Sequence, residues 1–182
     1  MIIGLSGLAG SGKTTVGNIL VREHGFVRRP FAYPLKSMIA ALGFDREVLD
    51  GPSAGKELPL ELFGGRSLRE AMQTLGTEWG RAQFGDDFWI KMWMRGLSAL
   101  GSHVVADDVR FENEANAVRA AGGIVVRLNR SGAGARMGSA HSSELVDLIK
   151  ADHVLSNDLP MEDLKRAVAD LISADVRDRR VA

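Results

Sequence analysis

The chain contains no cysteine, which excludes disulfides, thiolate-held zinc and cysteine nucleophiles together and fits a reducing compartment. It has no net charge: 23 Lys and Arg against 23 Asp and Glu leave no overall field to draw it onto nucleic acid or an anionic membrane. Any anion it binds must be gripped locally. No apolar run approaches the length of a bilayer span, and the start Met1-Ile-Ile-Gly4 lacks a basic segment followed by an apolar one. A soluble cytoplasmic protein acting on small molecules is expected, with no nucleic-acid or membrane partner; a homodimer stays open. At 182 residues the chain holds one compact core with small insertions, not a multidomain machine. Proline is scarce, at 5 residues, so the 21 glycines do not signal a fibrous or linker sequence. Those glycines must have local jobs.

Among the basic residues only six are Lys (13, 36, 56, 91, 150 and 165). The rest are Arg, whose planar fork matches phosphate oxygens, so the composition leans towards phosphate chemistry. Strand patterns at residues 2–6, 26–32, 103–107, 123–129 and 152–156 alternate with helical patterns at 13–24, 111–121 and 161–173. Such alternation predicts an α/β fold, a five-stranded parallel sheet with helices on both faces. The core is expected over 1–32 and 102–182, with a helical insertion at 33–101 that reads as helix and turn only. Residues 130–142 are Gly- and Arg-bearing with no apolar period, so a short irregular lid loop is expected there. Arg177 to Arg180 read as a solvated tail.

Gly7-Leu-Ala-Gly-Ser-Gly12-Lys13-Thr14 matches G-x-x-x-x-G-K-[ST], and it sits between a strand and a helix, the context its mechanism requires. Glycines let successive backbone N–H groups converge on phosphates, and the helix N-terminus adds partial positive charge. ATP binding is expected through Ala9, Gly10, Ser11, Gly12, Lys13, Thr14 and Thr15, with the Thr14 hydroxyl on Mg²⁺. No Asn-Lys-x-Asp segment of a GTPase is present, and the chain is too short for a helicase. A small phosphotransferase remains, the insertion serving the acceptor and the Arg-bearing loop closing to exclude water.

The strand at 103–107 runs into Asp107-Asp108-Val-Arg110-Phe-Glu-Asn-Glu114. An acid at the carboxyl end of a parallel strand points into the ligand crevice, whereas an Asp here could equally cap the following helix; Asp107 and Asp108 can divide these tasks. With this segment, the phosphate loop, Phe31-Ala-Tyr-Pro-Leu-Lys36, Leu68-Arg-Glu-Ala-Met-Gln-Thr-Leu-Gly76-Thr77 and His141-Ser-Ser143-Glu144, the sequence resembles the bacteriophage deoxynucleoside monophosphate kinases of the P-loop superfamily. The resemblance spans about residues 2–172.

It implies transfer of the ATP γ phosphate, with Mg²⁺, to a deoxynucleoside monophosphate for phage DNA synthesis. It also implies that Lys36 meets the acceptor phosphate, that Arg69, Gly76 and Thr77 line the deoxynucleotide pocket, and that Asp108, Arg110 and Glu114 close its other side. Trp89 becomes a candidate wall for base or sugar, against its alternative as core in the stripe Phe88, Trp89, Met92, Trp93 and Leu97. Asn157 resembles a position that touches adenine, or is a turn residue. Lys13, Asp108, Arg110 and the lid residues Arg130 and Arg136 form the expected catalytic set, stabilising charge on the transferring group. Phosphomevalonate and dephospho-coenzyme A kinases share the acidic-strand pattern and stay open, as does a nucleotide-binding switch without turnover.

Overall fold

The computed structural model describes residues 1–51, 53–98, 100–101, 103–134 and 148–181. Contacts divide the chain into two compact units, Met1–Pro30 with Leu100–Ala182, and Phe31–Ala99.

The first unit is a five-stranded parallel sheet: β1 Ile2–Ser6, β2 Val27–Arg28, β3 Val104–Ala106, β4 Ile124–Asn129 and β5 His153–Ser156, in spatial order β2-β3-β1-β4-β5. Strand periodicity sorts β1 onto two faces. Ile3 and Leu5 point into a cluster with Val16, Ile19 and Leu20 of helix α1 (Lys13–His24) and Leu164, Val168 and Leu171 of the C-terminal helix, labelled α8 below (Met161–Val181). Gly4 faces the other way, onto Val109 and onto Val118 of α7 (Glu112–Ala120), where a Cβ would lie 3.0 Å from both valines. Helices therefore cover both faces, as the uninterrupted apolar strands require.

β1 is central, and the chain leaves it for β2 on one side while β4 and β5 lie on the other. The order thus reverses at β1, and the carboxyl ends of β1 and β3 open the crevice where open α/β sheets bind ligands.

The second unit contains α2 (Tyr33–Ala40), α3 (Arg46–Asp50), two 3-10 turns (Ser53–Lys56 and Glu61–Phe63), α4 (Leu68–Thr74), a π-helical stretch Leu75–Arg81, the short α5 (Ala82–Phe84) and α6 (Phe88–Leu97). Ser67 and Glu70 start α4 with a reciprocal capping box, Glu70 N–H to Ser67 Oγ at 3.2 Å and Ser67 N–H to Glu70 Oε2 at 2.7 Å. The core joins Ile39, Leu49 and Leu68, and Phe31 stacks on Trp93 at 4.4 Å between ring centroids.

Two expectations about elements need correction. The strand at 26–32 contracts to Val27–Arg28, because β2 is an edge that pairs only with β3; Phe26 is apolar because it is buried, not because it extends the ladder. Arg177–Arg180 is no tail but the last turns of α8, since nothing after Met161 breaks the helix.

Candidate functional site

The phosphate loop begins where β1 ends. Gly7, Gly10 and Gly12 have φ of 137°, 82° and 99°, a region that only glycine enters cheaply. Space dictates glycine at two of them as well: a Cβ on Gly7 would lie 2.6 Å from the Leu128 carbonyl oxygen, and one on Gly12 would lie 1.9 Å from Asn157 Nδ2. Ser11 N–H closes a turn onto the Leu8 carbonyl at 3.1 Å, and α1 starts at Lys13. Ala9, Gly10 and Thr14 are exposed at the loop's rim; Ser11 is buried, and Thr15 is half-buried on the first turn of α1.

Lys13 folds back over its own loop, donating from Nζ to the Gly7 and Leu8 carbonyls at 2.6 and 2.9 Å. Burial and then the nearby Arg110 guanidinium lower its pKa from 10.5 to about 8, against the opposing pull of Asp107 and Asp108. Two cations thus repel each other beside the phosphate loop, an arrangement that an anion relieves.

The acids sit beside them. Ile2, Ile3 and Gly4 of β1 pair with Val104, Val105 and Ala106 of β3, so in that register Asp107 and Asp108 follow at the level of Leu5 and Ser6, just before the phosphate loop. The capping task expected of one aspartate needs correction, because the helix at Glu112–Ala120 is capped by Phe111 and neither aspartate. Instead, Asp107 Oδ2 lies 3.3 Å from Arg28 Nε, and Arg28 Nη2 reaches Asn18 Oδ1 at 2.9 Å and the Thr14 carbonyl at 3.3 Å. Arg28 therefore ties β2, the end of β3 and α1 together, while Asp108 stands next along the chain, half-buried. Nothing in the motifs marked Arg28; its place at the carboxyl end of the second strand was the available signal.

Glu114 is buried, and its Oε2 accepts from the Arg110 and Phe111 N–H groups at 2.8 and 3.3 Å. It fixes the turn that presents Asp108 and the exposed Arg110. Asn157 is likewise committed to the protein, donating from Nδ2 to the Ser11 carbonyl at 2.9 Å, so it tethers the phosphate loop rather than offering this amide to a base.

Arg130 is exposed on the turn after β4. That turn is anchored: Gly134 N–H donates to the Ala9 carbonyl at 2.9 Å, and Ser131 N–H to Asp158 Oδ1 at 2.8 Å. A cavity of about 310 Å³ lies between Gly7–Leu8 and this turn, with Arg130 and Asp158 in its wall. Arg136 and most of the expected lid lie outside the described residues.

In the second unit, Lys36 follows Pro34 in the first turn of α2 and pairs with Asp50 at 2.6 Å, and Arg69 on α4 pairs with Glu57. A Cβ on Gly76 would lie 3.0 Å from Leu35 Cδ1. Trp89 needs correction as a ligand-facing residue. Trp89 is 6% exposed, its ring packs against Gly80, and its Nε1 donates to the Gly76 carbonyl at 2.8 Å. It is core, as helical stripes commonly are. Thr77 is exposed on the π-helical stretch. Lys56, which no motif singled out, donates to the Gly51 carbonyl at 2.8 Å in the same region as Lys36 and Arg69.

A family model for deoxynucleotide monophosphate kinase matches residues 56–168, and a protein of Acanthamoeba polyphaga mimivirus named "Putative deoxynucleotide monophosphate kinase" is 31% identical over 176 residues, 90% of this chain and 91% of its own. The chain belongs to the deoxynucleotide monophosphate kinase family. It is a phosphotransferase.

Solved structures agree on the fold of this kinase. Shikimate kinase from Aquifex aeolicus vf5 is 15% identical, with a TM-score of 0.50 over 97% of this chain and 98% of its own. TT1252 from Thermus thermophilus is 18% identical, with a TM-score of 0.52 over 96% and 97%. The family match excludes the phosphate loop but includes Leu68–Thr77 and Asp108–Glu114. Among the described residues of the kinase no helix is long and apolar enough to cross a membrane.

Proposed function

We propose that the protein transfers the γ phosphate of ATP to a deoxynucleoside 5′-monophosphate, giving the diphosphate, for DNA precursor synthesis during infection by a bacteriophage in its host's cytoplasm. The observation that carries this reading is the convergence of Lys13, Arg110 and the glycine-lined loop, with Asp107 and Asp108 at the end of the adjacent strand.

The residues fit a magnesium nucleotide. Mg²⁺ favours oxygen ligands, keeps several waters and takes only one or two protein groups besides the phosphates. Here the exposed Thr14 side chain at the start of α1 would hold it, with Asp108 orienting its water. Bound there, the ion would neutralise charge on the phosphate oxygens.

A monophosphate acceptor is already anionic near neutral pH, its second pKa being about 6, so no strong base is needed. The chain's own work is positioning and neutralisation. Backbone N–H groups of the loop hold the donor phosphates. Lys13 leaves the Gly7 and Leu8 carbonyls for the β and γ phosphates. Arg110 faces the transferring group, joined by Arg130 and Arg136 from the lid. Glu114 and Asn157 position Arg110 and the loop respectively. Lys36 and Arg69 take the acceptor's phosphate, and Thr77 its nucleoside.

The test is ADP release from ATP with a panel of the four deoxynucleoside monophosphates, their ribose counterparts, phosphomevalonate and dephospho-coenzyme A. Stimulation of at least ~10²-fold by one or more deoxynucleoside monophosphates is expected, because positioning two reactants alone contributes that much. Stimulation only by another acceptor refutes the reading, and stimulation by none leaves a binding switch.

A further inference from the structure

Lys36 and Arg69 are not the only cations on their part of the second unit. Lys36 Nζ meets Asp50 Oδ1 at 2.6 Å; the next residue, Gly51, gives its carbonyl to Lys56 Nζ at 2.8 Å; and Glu57, the residue after Lys56, meets Arg69 Nε. Three cations from three elements, α2, the turn Ser53–Lys56 and α4, are thus interleaved with two acids. Asp50 and Glu57 are each 52% exposed, against 20% for Lys36 and 36% for Arg69, so each acid is the more exposed partner of its pair. The Lys56 ammonium feels the same neighbours: burial first, then Lys36, holds its pKa below 10.5, with Arg69 adding to them and Asp50 opposing.

We infer that Lys56 is the third cation of the acceptor-phosphate site, and that Asp50 and Glu57 occupy the place of the phosphate dianion until the substrate displaces them. This rests on the kinase reading above, which assigned Lys36 and Arg69 to that phosphate. The charge balance favours it. Two carboxylates carry two negative charges, and a monoester phosphate near pH 7 carries nearly two, so the exchange leaves the three cations as well neutralised as before. Surface carboxylate pairs of this kind are weak, which makes them displaceable by an oxyanion offering several strong acceptor oxygens to three donors. The acids also keep the cations extended and close together without substrate, where bare like charges would splay apart.

Calorimetric titration of the full chain with each of the four deoxynucleoside monophosphates tests this. Lys56→Gln is expected to weaken monophosphate binding about tenfold or more, the usual cost of a hydrogen bond to a charged group. Its ATP affinity should not change, and Lys56→Arg should retain most of the wild-type affinity. The double variant Asp50→Asn, Glu57→Gln should bind the same monophosphate several-fold more tightly than wild type. A merely structural role for the two acids would weaken binding instead, so that outcome overturns the inference, as does wild-type affinity in Lys56→Gln. Circular dichroism checks each variant's fold; should Lys56→Gln unfold, Lys56→Arg and the double variant still decide. If wild type binds no deoxynucleoside monophosphate, the kinase reading falls and this inference with it, a result distinct from binding that is insensitive to Lys56.

Discussion

Lys13→Met should abolish most phosphoryl transfer without weakening the fold. Removing one preorganised cation from a group where charge develops costs on the order of 10²–10³ in kcat, and Lys13 is the cation of the donor loop. The stability expectation runs the other way. Burial and Arg110 hold the Lys13 pKa near 8, so at pH 7 the folded protein carries a charge that its surroundings disfavour. A methionine fills similar volume without that charge, although the bonds to Gly7 and Leu8 are lost. The urea midpoint of Lys13→Met at pH 7 is therefore expected at or above that of wild type.

The pH dependence has a definite sign. Between about pH 8 and 10.5 the unfolded chain holds the Lys13 proton and the folded chain has released it, so wild-type stability rises through this window relative to the variant. A metal-free triphosphate pulls the pKa back up, so its binding near pH 9 should take up protons, measurable by calorimetry in buffers of different ionisation enthalpy. A variant that unfolds more easily at pH 7, or retains wild-type kcat, contradicts this account of Lys13.

The second large effect is a graded series along the phosphate loop. Alanine at Gly10 meets nothing within 4 Å and bears only the strain of φ 82°, about 1–2 kcal/mol. At Gly12 it would also push the Asn157 amide off the Ser11 carbonyl and so untether the loop. At Gly7 the obstacle is backbone, the Leu128 carbonyl oxygen at 2.6 Å, which no rotamer change relieves. Strain and overpacking together should cost Gly7→Ala about 2–5 kcal/mol, a large part of a typical domain's stability of about 5–15 kcal/mol. Thermal or urea unfolding should rank Gly10→Ala above Gly12→Ala above Gly7→Ala, with ATP affinity falling in the same order. Equal stability of the Gly7 and Gly10 variants would show that the β4 backbone does not confine this loop.

The sheet and its helices were legible because apolar periodicity is a local property. Residues 13–24 were bounded correctly because Gly25 caps α1 in the left-handed region, and the phosphate loop was legible because its glycines stand at fixed spacing. The errors at β2 and Trp89 share one cause: burial and pairing partners are set by distant residues. Trp89 is held by a hydrogen bond to the Gly76 carbonyl 13 positions earlier in sequence, which no motif displays. Glu114 and Asn157 were expected to touch ligands, but each uses a polar atom on backbone that carries other residues. Lys56 was passed over because its turn, Gly51-Pro52-Ser-Ala-Gly55-Lys56, has no periodicity; as one of six lysines in an arginine-rich chain it carried a faint compositional signal.

The central claim is that the phosphoryl group leaves ATP for a deoxynucleoside monophosphate, and ³¹P NMR of one reaction mixture tests it most directly. With enzyme, ATP, Mg²⁺ and the monophosphate that stimulates ADP release most, the monoester resonance should decline as two diphosphate species grow in equal amounts, ADP and the deoxynucleoside diphosphate. An unchanged monoester resonance, with ATP intact or ADP growing beside inorganic phosphate, would contradict it.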